Sequence, residues 1–380
     1  MSPTRWLAQV LYGVVPKSRV AVLNGQPDFC DDVLALERAL QVTDLQRVVI
    51  LCGSRKGSKD RAKYAGLSPQ TLAVPKRTLR GIWYVMTAKY VFFTHSFAMQ
   101  DCPESVESVN VWHGMPVKRV GWMTESGPLL PVVKYSVATS PFWQVVVQES
   151  LRPTVETFVT GLPRNDRLTL GDRGVLRALG YERGSGTKLI AWLPTYRYDW
   201  SRGSLRTHCA HVFGLTADEL SDLNDLLERE NALVVVKRHP MAERQETPEL
   251  SRIKYLNDEW LAERGFTLHE LLGESCALIT DVSSTYVDYL VLDRPIVHHF
   301  PDIEAYGHSR GYSFEPIQDY LAGPLVDAPT DLADALEGIL KGEDTHAEQR
   351  RRVRTLFHDP LGGSSAARLM SALGLDHGTD

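Results

Sequence analysis

The chain has 380 residues, 43% of them hydrophobic and 23% charged, enough for two globular domains of ordinary size, each with its own core. A formal net charge of −5 argues against a general nucleic-acid binder. Five cysteines (Cys30, Cys52, Cys102, Cys209, Cys276) without a Cys-x-x-Cys pair exclude a zinc framework or disulfide scaffold, and they fit a reducing cytoplasm.

No apolar run reaches the roughly 18 residues that span a bilayer. Trp6 to Val15 is too short for a secretory signal and has no small-residue cleavage site. It combines Trp6, Leu7, Val10, Leu11 and Val14 with flanking Arg5, Lys17 and Arg19, and no acid precedes Asp28. That pattern fits a helix lying in a membrane interface or one docked on its own domain. Short apolar runs closed by Gly, Asn, Ser or His then predict strands at Arg19–Asn24, Arg47–Gly53, Tyr90–His95, Val109–His113, Tyr135–Ser140 and Thr157–Gly161. Amphipathic helices are expected over Asp32–Gln41 and Phe142–Ser150. Between Arg55 and Lys89 the cations Arg55, Lys56, Lys59, Arg61, Lys63, Lys76, Arg77, Arg80 and Lys89 face the single acid Asp60. This stretch reads as a contact for an anionic partner, such as lipid headgroups or a lipid-linked phosphate, or as a solvated face.

Leu170–Lys188 carries Gly171, Gly174, Gly180, Gly184 and Gly186, which places the interdomain connection there. A second series of strands follows at Lys188–Leu193, Ala232–Lys237, Cys276–Thr280 and Pro295–Phe300, with helices over Ala217–Glu230 and Ser284–Leu292. The tail, Asp331–Leu373, is helical in pattern and able to fold back across both domains. Strands alternating with helices mean parallel sheets built from right-handed crossovers. The expected fold class is α/β, with two facing doubly wound, Rossmann-like domains in the GT-B architecture. Residues 1–170 form an acceptor and base domain, 171–345 a nucleotide-donor domain, and 346–380 a helical tail packing back on the N-terminal domain.

In open α/β sheets, ligands bind at the carboxyl ends of strands. Two histidines lie at such ends in different halves of the chain, His113 in Val111-Trp112-His113-Gly114-Met115-Pro116 and His239 in Val236-Lys237-Arg238-His239-Pro240. A third strand end, Leu278 to Ser284, adds two hydroxyls and a helix start. That set points to phosphate chemistry, which needs a positioned diphosphate, counter-charge for the leaving group and a base near the incoming hydroxyl. His113 can serve as that base, or it can cap the following helix or pack on Trp112. Ser283 and Ser284, with the free N–H groups of the helix start, can receive a phosphate. Arg310, Arg197, Arg238 and Lys237 supply counter-charge, and Thr195 lies where a nucleotide approaches. No Gly-x-Gly-x-x-Gly, P-loop or Asp-x-Asp set occurs near these strands. A largely metal-independent site without a cofactor is therefore expected, with Asp281 orienting its turn. His298 and His299 receive no role, since at least one points into packing. His208 and His211 lack a third metal ligand.

Five segments, taken in order and spacing, carry a family resemblance. They are Trp112-His113-Gly114-Met115-Pro116-Val117-Lys118; Gly161-Leu162-Pro163-Arg164-Asn165-Asp166; Leu193-Pro194-Thr195-Tyr196-Arg197; Lys237-Arg238-His239-Pro240; and Ile279 to Ser284 with Asp288 and Arg294-Pro295. Tyr306, Arg310-Gly311 and Gly323-Pro324 follow downstream. Together they resemble the CDP-glycerol glycerophosphotransferase family, the enzymes that prime and polymerise wall teichoic acids and related phosphate-linked capsules. The resemblance covers roughly residues 85 to 325. Upstream it reaches Thr87-Ala88-Lys89-Tyr90-Val91.

The resemblance implies transfer of glycerol phosphate, or a related polyol phosphate, from a CDP-activated donor to a hydroxyl on a lipid-linked or polymer acceptor, releasing CMP. It implies His113 and His239 as catalytic residues and Thr195, Arg197, Arg238, His239, Asp281, Ser283, Ser284 and Arg310 around the donor. Gly114, Lys118, Arg164, Asn165 and Asp166 fall on the acceptor side. The expected partners are the CDP-linked donor, the acceptor and an anionic membrane surface at the inner face of a bacterial cell membrane, with no nucleic acid. Two departures bear on the donor: His269-Glu270-Leu271-Leu272-Gly273-Glu274 replaces the usual lead-in, and Asp281-Val282-Ser283 replaces a common Asp-Tyr-Ser. The alternatives are a GT-B glycosyltransferase using a nucleotide sugar and a non-catalytic scaffold of a wall or capsule assembly complex.

Overall fold

The computed structural model describes residues 3–64, 66–95, 97, 99, 102–124, 133–151, 155–182, 184–194, 198–199, 204–205, 215–237 and 249–375. The chain divides into two compact units, residues 1–169 with 356–380, and residues 170–355.

The first unit is built on strands β1 (Ser18–Asn24), β2 (Arg47–Cys52), β3 (Leu72–Pro75), β4 (Ala88–Phe93), β5 (Glu107–Asn110), β6 (Tyr135–Ala138) and β7 (Glu156–Val159). They pair in parallel in the order β3-β2-β1-β4-β5-β6-β7. Val22 of β1 lies opposite Val49 of β2 and Val91 of β4. Helices α1 (Pro3–Val14), α2 (Asp31–Leu40), α3 (Arg55–Lys59), α4 (Leu79–Thr87) and α5 (Pro141–Ser150) lie between the strands or before them. Covered on both faces, a parallel strand loses its polar alternation and becomes a continuous apolar run. Ala21, Val22 and Leu23 are accordingly fully buried.

The second unit contains α6 (Val175–Ala178), β8 (Lys188–Leu193), a backbone hairpin of β9 (Tyr198–Asp199) and β10 (Ser204–Leu205), α7 (Ala217–Arg229), β11 (Ala232–Lys237), β12 (Ile253–Leu256), α8 (Asp258–Glu263) and α9 (Leu268–Glu274). It continues through β13 (Ala277–Thr280), α10 (Thr285–Tyr289), β14 (Ile296–His299), α11 (Ile303–Arg310), β15 (Leu325–Val326) and α12 (Pro329–Leu340). Its parallel sheet runs β12-β11-β8-β13-β14-β15. Leu220, Leu223 and Leu227 of α7 and Leu332, Leu336 and Leu340 of α12 share a core with Ile190, Val234 and Val236. Thr216 and Thr267 start α7 and α9 with reciprocal capping boxes to Glu219 and Glu270. Both sheets reverse their winding at one place, between β1 and β4 and between β8 and β13. Ligand sites form at the carboxyl ends of strands around such switch points.

Three short edge strands (β3, β12 and β15) and α4 lie outside the predicted elements, although Thr78 caps α4 by accepting the Gly81 N–H. The predicted strand Val109–His113 also pairs only as far as Asn110, because Trp112 takes a left-handed φ of 59° that no extended ladder accommodates.

Helix α13 (Ala347–Phe357) leaves the second unit, and the chain returns to the first with Phe357 packed on Phe142 and Trp143, ring centroids 5.3 and 4.9 Å away. Helix α14 (Ser365–Ala372) then docks on the Gly161–Asp166 segment. Asp166 accepts from Ser364 Oγ at 2.6 Å, Ser365 N at 2.7 Å and Ala366 N at 3.0 Å. Gly161 has φ 80°, and a Cβ there would lie 2.5 Å from Ser365 Oγ. Arg368 of α14 donates to the Thr160 carbonyl at 2.9 Å. The carboxylate thus caps a helix nearly two hundred residues away, an anion on the positive end of a dipole. Asp166→Ala should cost about 2 kcal/mol, the scale of losing charge-assisted bonds at a partly exposed cap. A urea titration checks this, and an unchanged midpoint contradicts it.

Candidate active site

In the first unit the site grows from the turn after β5. Asn110 Oδ1 accepts the Trp112 N–H at 3.0 Å, and the Trp112 indole donates to Ser136 Oγ at 2.9 Å. Trp112, Met115 and Val117 are buried, which anchors both sides of the turn. Trp112 holds φ at 59°, a strained value for a side-chain-bearing residue, and Gly114 holds 121°, where glycine is favoured. These constraints leave one side chain of the turn, His113, exposed between buried neighbours.

His113 Nδ1 lies 3.1 Å from the Thr94 carbonyl at the end of the adjacent strand β4. A carbonyl only accepts, so Nδ1 carries a proton, and in the neutral ring the lone pair is then on Nε2. His95 stacks on the His113 ring with centroids 3.9 Å apart and planes at 13°, and its own Nδ1 is 2.9 Å from Thr94 Oγ1. Burial, with added repulsion from His113 and Arg164, pushes His95 down to about 3. His95 is therefore a neutral platform at working pH, on which the His113 ring is held flat.

The sequence reading missed His95. Its signal was present: neighbouring parallel strands whose runs end in Thr94-His95 and Trp112-His113.

Arg164 is fixed from behind. Its backbone N–H donates to Asp32 Oδ1 at 3.0 Å, and its Nε lies 3.6 Å from Asp32 Oδ2, a carboxylate buried in the first turn of α2. Arg164 stands close enough to act on the charge of His95. Lys118 is half-buried and Asn165 buried, while Asp166 has the capping duty described above.

In the second unit the ends of β11, β8, β13 and β14 lie side by side. Thr195, Arg197, Arg238 and His239 fall outside the described residues, as do His208 and His211. Lys237 is ion-paired with Asp258 at 2.8 Å, so its charge is balanced within the unit. Asp281 is buried, and its carbonyl lies 2.7 Å from His298 Nδ1. Ala322 N–H donates to His298 Nε2 at 3.0 Å. With one nitrogen donating and the other accepting, His298 is neutral, and burial pushes it down to about 4. His298 is thus the pin that holds the Asp281 turn to the loop before β15.

Ser283 and Ser284 are partly exposed beyond that turn. Ser283 Oγ lies 3.2 Å from Thr285 Oγ1, and the Ser284 hydroxyl makes no capping bond to α10. Arg310 is exposed at the end of α11, where Gly311 turns the chain with φ 71°. The described residues therefore gather Thr94, His95, His113 and Arg164 in one unit, and Asp281, Ser283, Ser284 and His298 in the other.

The description of the family CDP-Glycerol:Poly(glycerophosphate) glycerophosphotransferase matches residues 13–374, well beyond the 85–325 visible from motifs. A teichoic acid poly(glycerol phosphate) polymerase of Bacillus spizizenii is 27% identical over 285 residues, 68% of this chain and 68% of that protein. A teichoic acid glycerol-phosphate transferase of Staphylococcus aureus is 26% identical over 66% of this chain and 65% of its own length. Among solved structures, the wall teichoic acid polymerase TagF superposes with a TM-score of 0.73 at 17% identity, covering 97% of this chain and 92% of that one. That likeness shows the fold, α/β with two doubly wound units of the GT-B type. The chain belongs to the CDP-glycerol:poly(glycerophosphate) glycerophosphotransferase family.

Proposed function

We propose that the chain transfers glycerol phosphate, or a related polyol phosphate, from a CDP-activated donor to a hydroxyl of a lipid-linked or polymer acceptor in teichoic-acid or capsule-type polymer synthesis. The observation that carries this reading is the placement of His113: exposed, with Nδ1–H given to the Thr94 carbonyl, the tautomer whose neutral ring has its basic nitrogen at Nε2. Nε2 takes the proton of the acceptor hydroxyl as its oxygen attacks the β-phosphorus of the donor. The bond between that phosphorus and the oxygen bridging to CMP breaks, and CMP departs with the electron pair. Charge building on the leaving phosphate requires fixed cations and donors more than covalent help. Ser283, Ser284 and Arg310 supply them from the described residues, with Thr195, Arg197, Arg238, His239 and the Asp281 turn assigned from the motifs. Arg164, Lys118 and the Gly114 turn face the acceptor.

The acceptor reading includes a peripheral seat on the inner face of the cell membrane. Leu7, Val10, Leu11 and Val14 of α1 and Leu79, Ile82 and Trp83 of α4 are exposed, Leu79 by 88% and Trp83 by 63%. Arg77 and Arg80 lie beside them. Apolar side chains rimmed by cations suit an interface. No helix among the described residues is long and apolar enough to cross a membrane.

Incubating the chain with a panel of CDP-alcohols and an acceptor tests the reaction: CMP release with CDP-glycerol or another CDP-polyol is expected. No release from any CDP-alcohol overturns it. Arg310→Ala should weaken donor binding about tenfold by calorimetry, the scale of one charge-assisted contact. Unchanged affinity removes Arg310 from the donor site.

A further inference from the structure

The carboxyl edge of the first sheet carries a second electropositive site that the proposed chemistry leaves unused. After β2 the chain forms α3 and a 3-10 turn (Asp60–Lys63). Ser58, Lys59, Arg61, Tyr64 and Leu67 line a cavity of about 430 Å³ there. Arg61 donates one guanidinium nitrogen to the Ser68 carbonyl, and its buried Nε has no partner among the described residues. Lys76, at the end of the neighbouring strand β3, donates to the neutral Asn24 Oδ1 at 3.1 Å.

Three carboxylates stand nearby, and the buried Glu37 among them accepts the Ser68 N–H at 3.0 Å and the Thr71 hydroxyl at 2.6 Å. Asp60 is paired with Lys63 at 2.9 Å. Asp28 accepts the Gly53 N–H at 2.8 and 3.0 Å, and burial raises it although the Lys76 charge stands close enough to lower it. Among the described residues Arg55, Lys56, Lys59, Arg61 and Lys76 have no ion pair. A chain of net charge −5 therefore gathers more cations than carboxylates along this edge, with Lys59 and Arg61 lining the cavity. Scattered surface cations serving solubility would have carboxylates interspersed among them.

Strand order fixes where this cavity lies relative to His113. From β2 the sheet steps through β1 and β4 to β5, about 14 Å at the usual strand spacing. Both features sit on the same ligand-binding edge of one unit. The distance exceeds the reach of a single polyol phosphate whose hydroxyl is at His113, and it suits a longer chain of them.

We infer that the Ser58–Leu67 cavity binds an internal phosphodiester of the polyanionic acceptor, while the terminal hydroxyl of that acceptor reacts at His113. This rests on the transferase reading for its substrate, yet its test does not require turnover. Lys56 and Lys59 are exposed and carry no partner, so replacing both by alanine leaves the fold intact.

The experiment measures binding of a synthetic glycerol-phosphate oligomer to the full chain and to the double variant Lys56→Ala, Lys59→Ala. It also measures binding to phosphatidylglycerol vesicles, and turnover with short and long acceptors. The expected result is an oligomer affinity about tenfold weaker in the variant, with a flatter salt dependence. KM for the long acceptor rises, while KM for the CDP-donor and turnover on a one-unit acceptor are unchanged. Oligomer affinity equal to wild type overturns the site, and loss of vesicle binding alone assigns these lysines to lipid instead. Lysine-dependent oligomer binding without CMP release keeps the site and sinks the transferase reading.

Discussion

His113→Ala lowers turnover by roughly two orders of magnitude or more, the usual size for losing a general base, while CDP-donor affinity stays within about twofold of wild type. Both halves follow from where the residue is held. The donor contacts are assigned to the second unit, whereas His113 belongs to the first and is fixed by Thr94, His95 and the Trp112 turn. Removing an exposed imidazole leaves Trp112, Met115 and Val117 buried as before, so folding is not the quantity that changes. Initial rates and calorimetry on the same preparation separate the two effects. Turnover equal to wild type removes His113 from the role of base, and lost donor affinity would place it on the donor instead. His95→Phe keeps a flat ring against His113 and should retain most of the rate.

The second large effect is on stability in acid. His298 is held neutral by burial, pushed from 6.5 down to about 4. The unfolded chain protonates this ring near 6.5 and the folded chain only near 4, so between those values the unfolded state holds more protons. The stabilisation is complete above pH 6.5, falls as the pH drops toward 4, and changes no further below that. The interval corresponds to about 3 kcal/mol from this one residue. His95, pushed down to about 3, acts in the same direction in the first unit. Urea unfolding between pH 7 and pH 4 reads the loss. His298→Gln should start less stable at pH 7 and show a shallower slope through this interval, and slopes identical to wild type contradict the assignment. In the folded chain the ring protonates only near 4, and what it then loses is the bond accepted from Ala322 N, so the Asp281 turn keeps its pin down to that pH.

The fold was legible wherever burial is two-sided. The β1 run Arg19–Asn24 and the β11 run Ala232–Lys237 are near-continuous apolar segments because helices cover both faces of their sheets, and β2 and β8 carry the same buried pattern. The edge strands β3, β12 and β15 pair on one side over a few residues, too briefly to impose a pattern. The candidate base was legible because the turn around His113 needs Trp, Gly and Pro at fixed places. His95 closes a predicted strand, but its stacking on His113 depends on register between adjacent strand ends, and register is a property of the sheet. The Gly161–Asp166 motif shows the converse. Its glycine and acid look like turn chemistry, and they are, but the partner they serve is α14, whose arrival depends on the whole path of the chain. His298 likewise reads as one apolar-flanked residue in a strand until the loop bearing Ala322 is brought to it.

The central claim is that bond breaking occurs at phosphorus, with the acceptor oxygen as nucleophile. The most direct measurement uses CDP-glycerol labelled at its β-phosphorus and follows the label after one turnover. The account predicts that the label appears in the extended acceptor and that the released nucleotide is unlabelled CMP. Label retained in released CDP would mean cleavage at carbon, as in a glycosyltransferase, and would contradict the account.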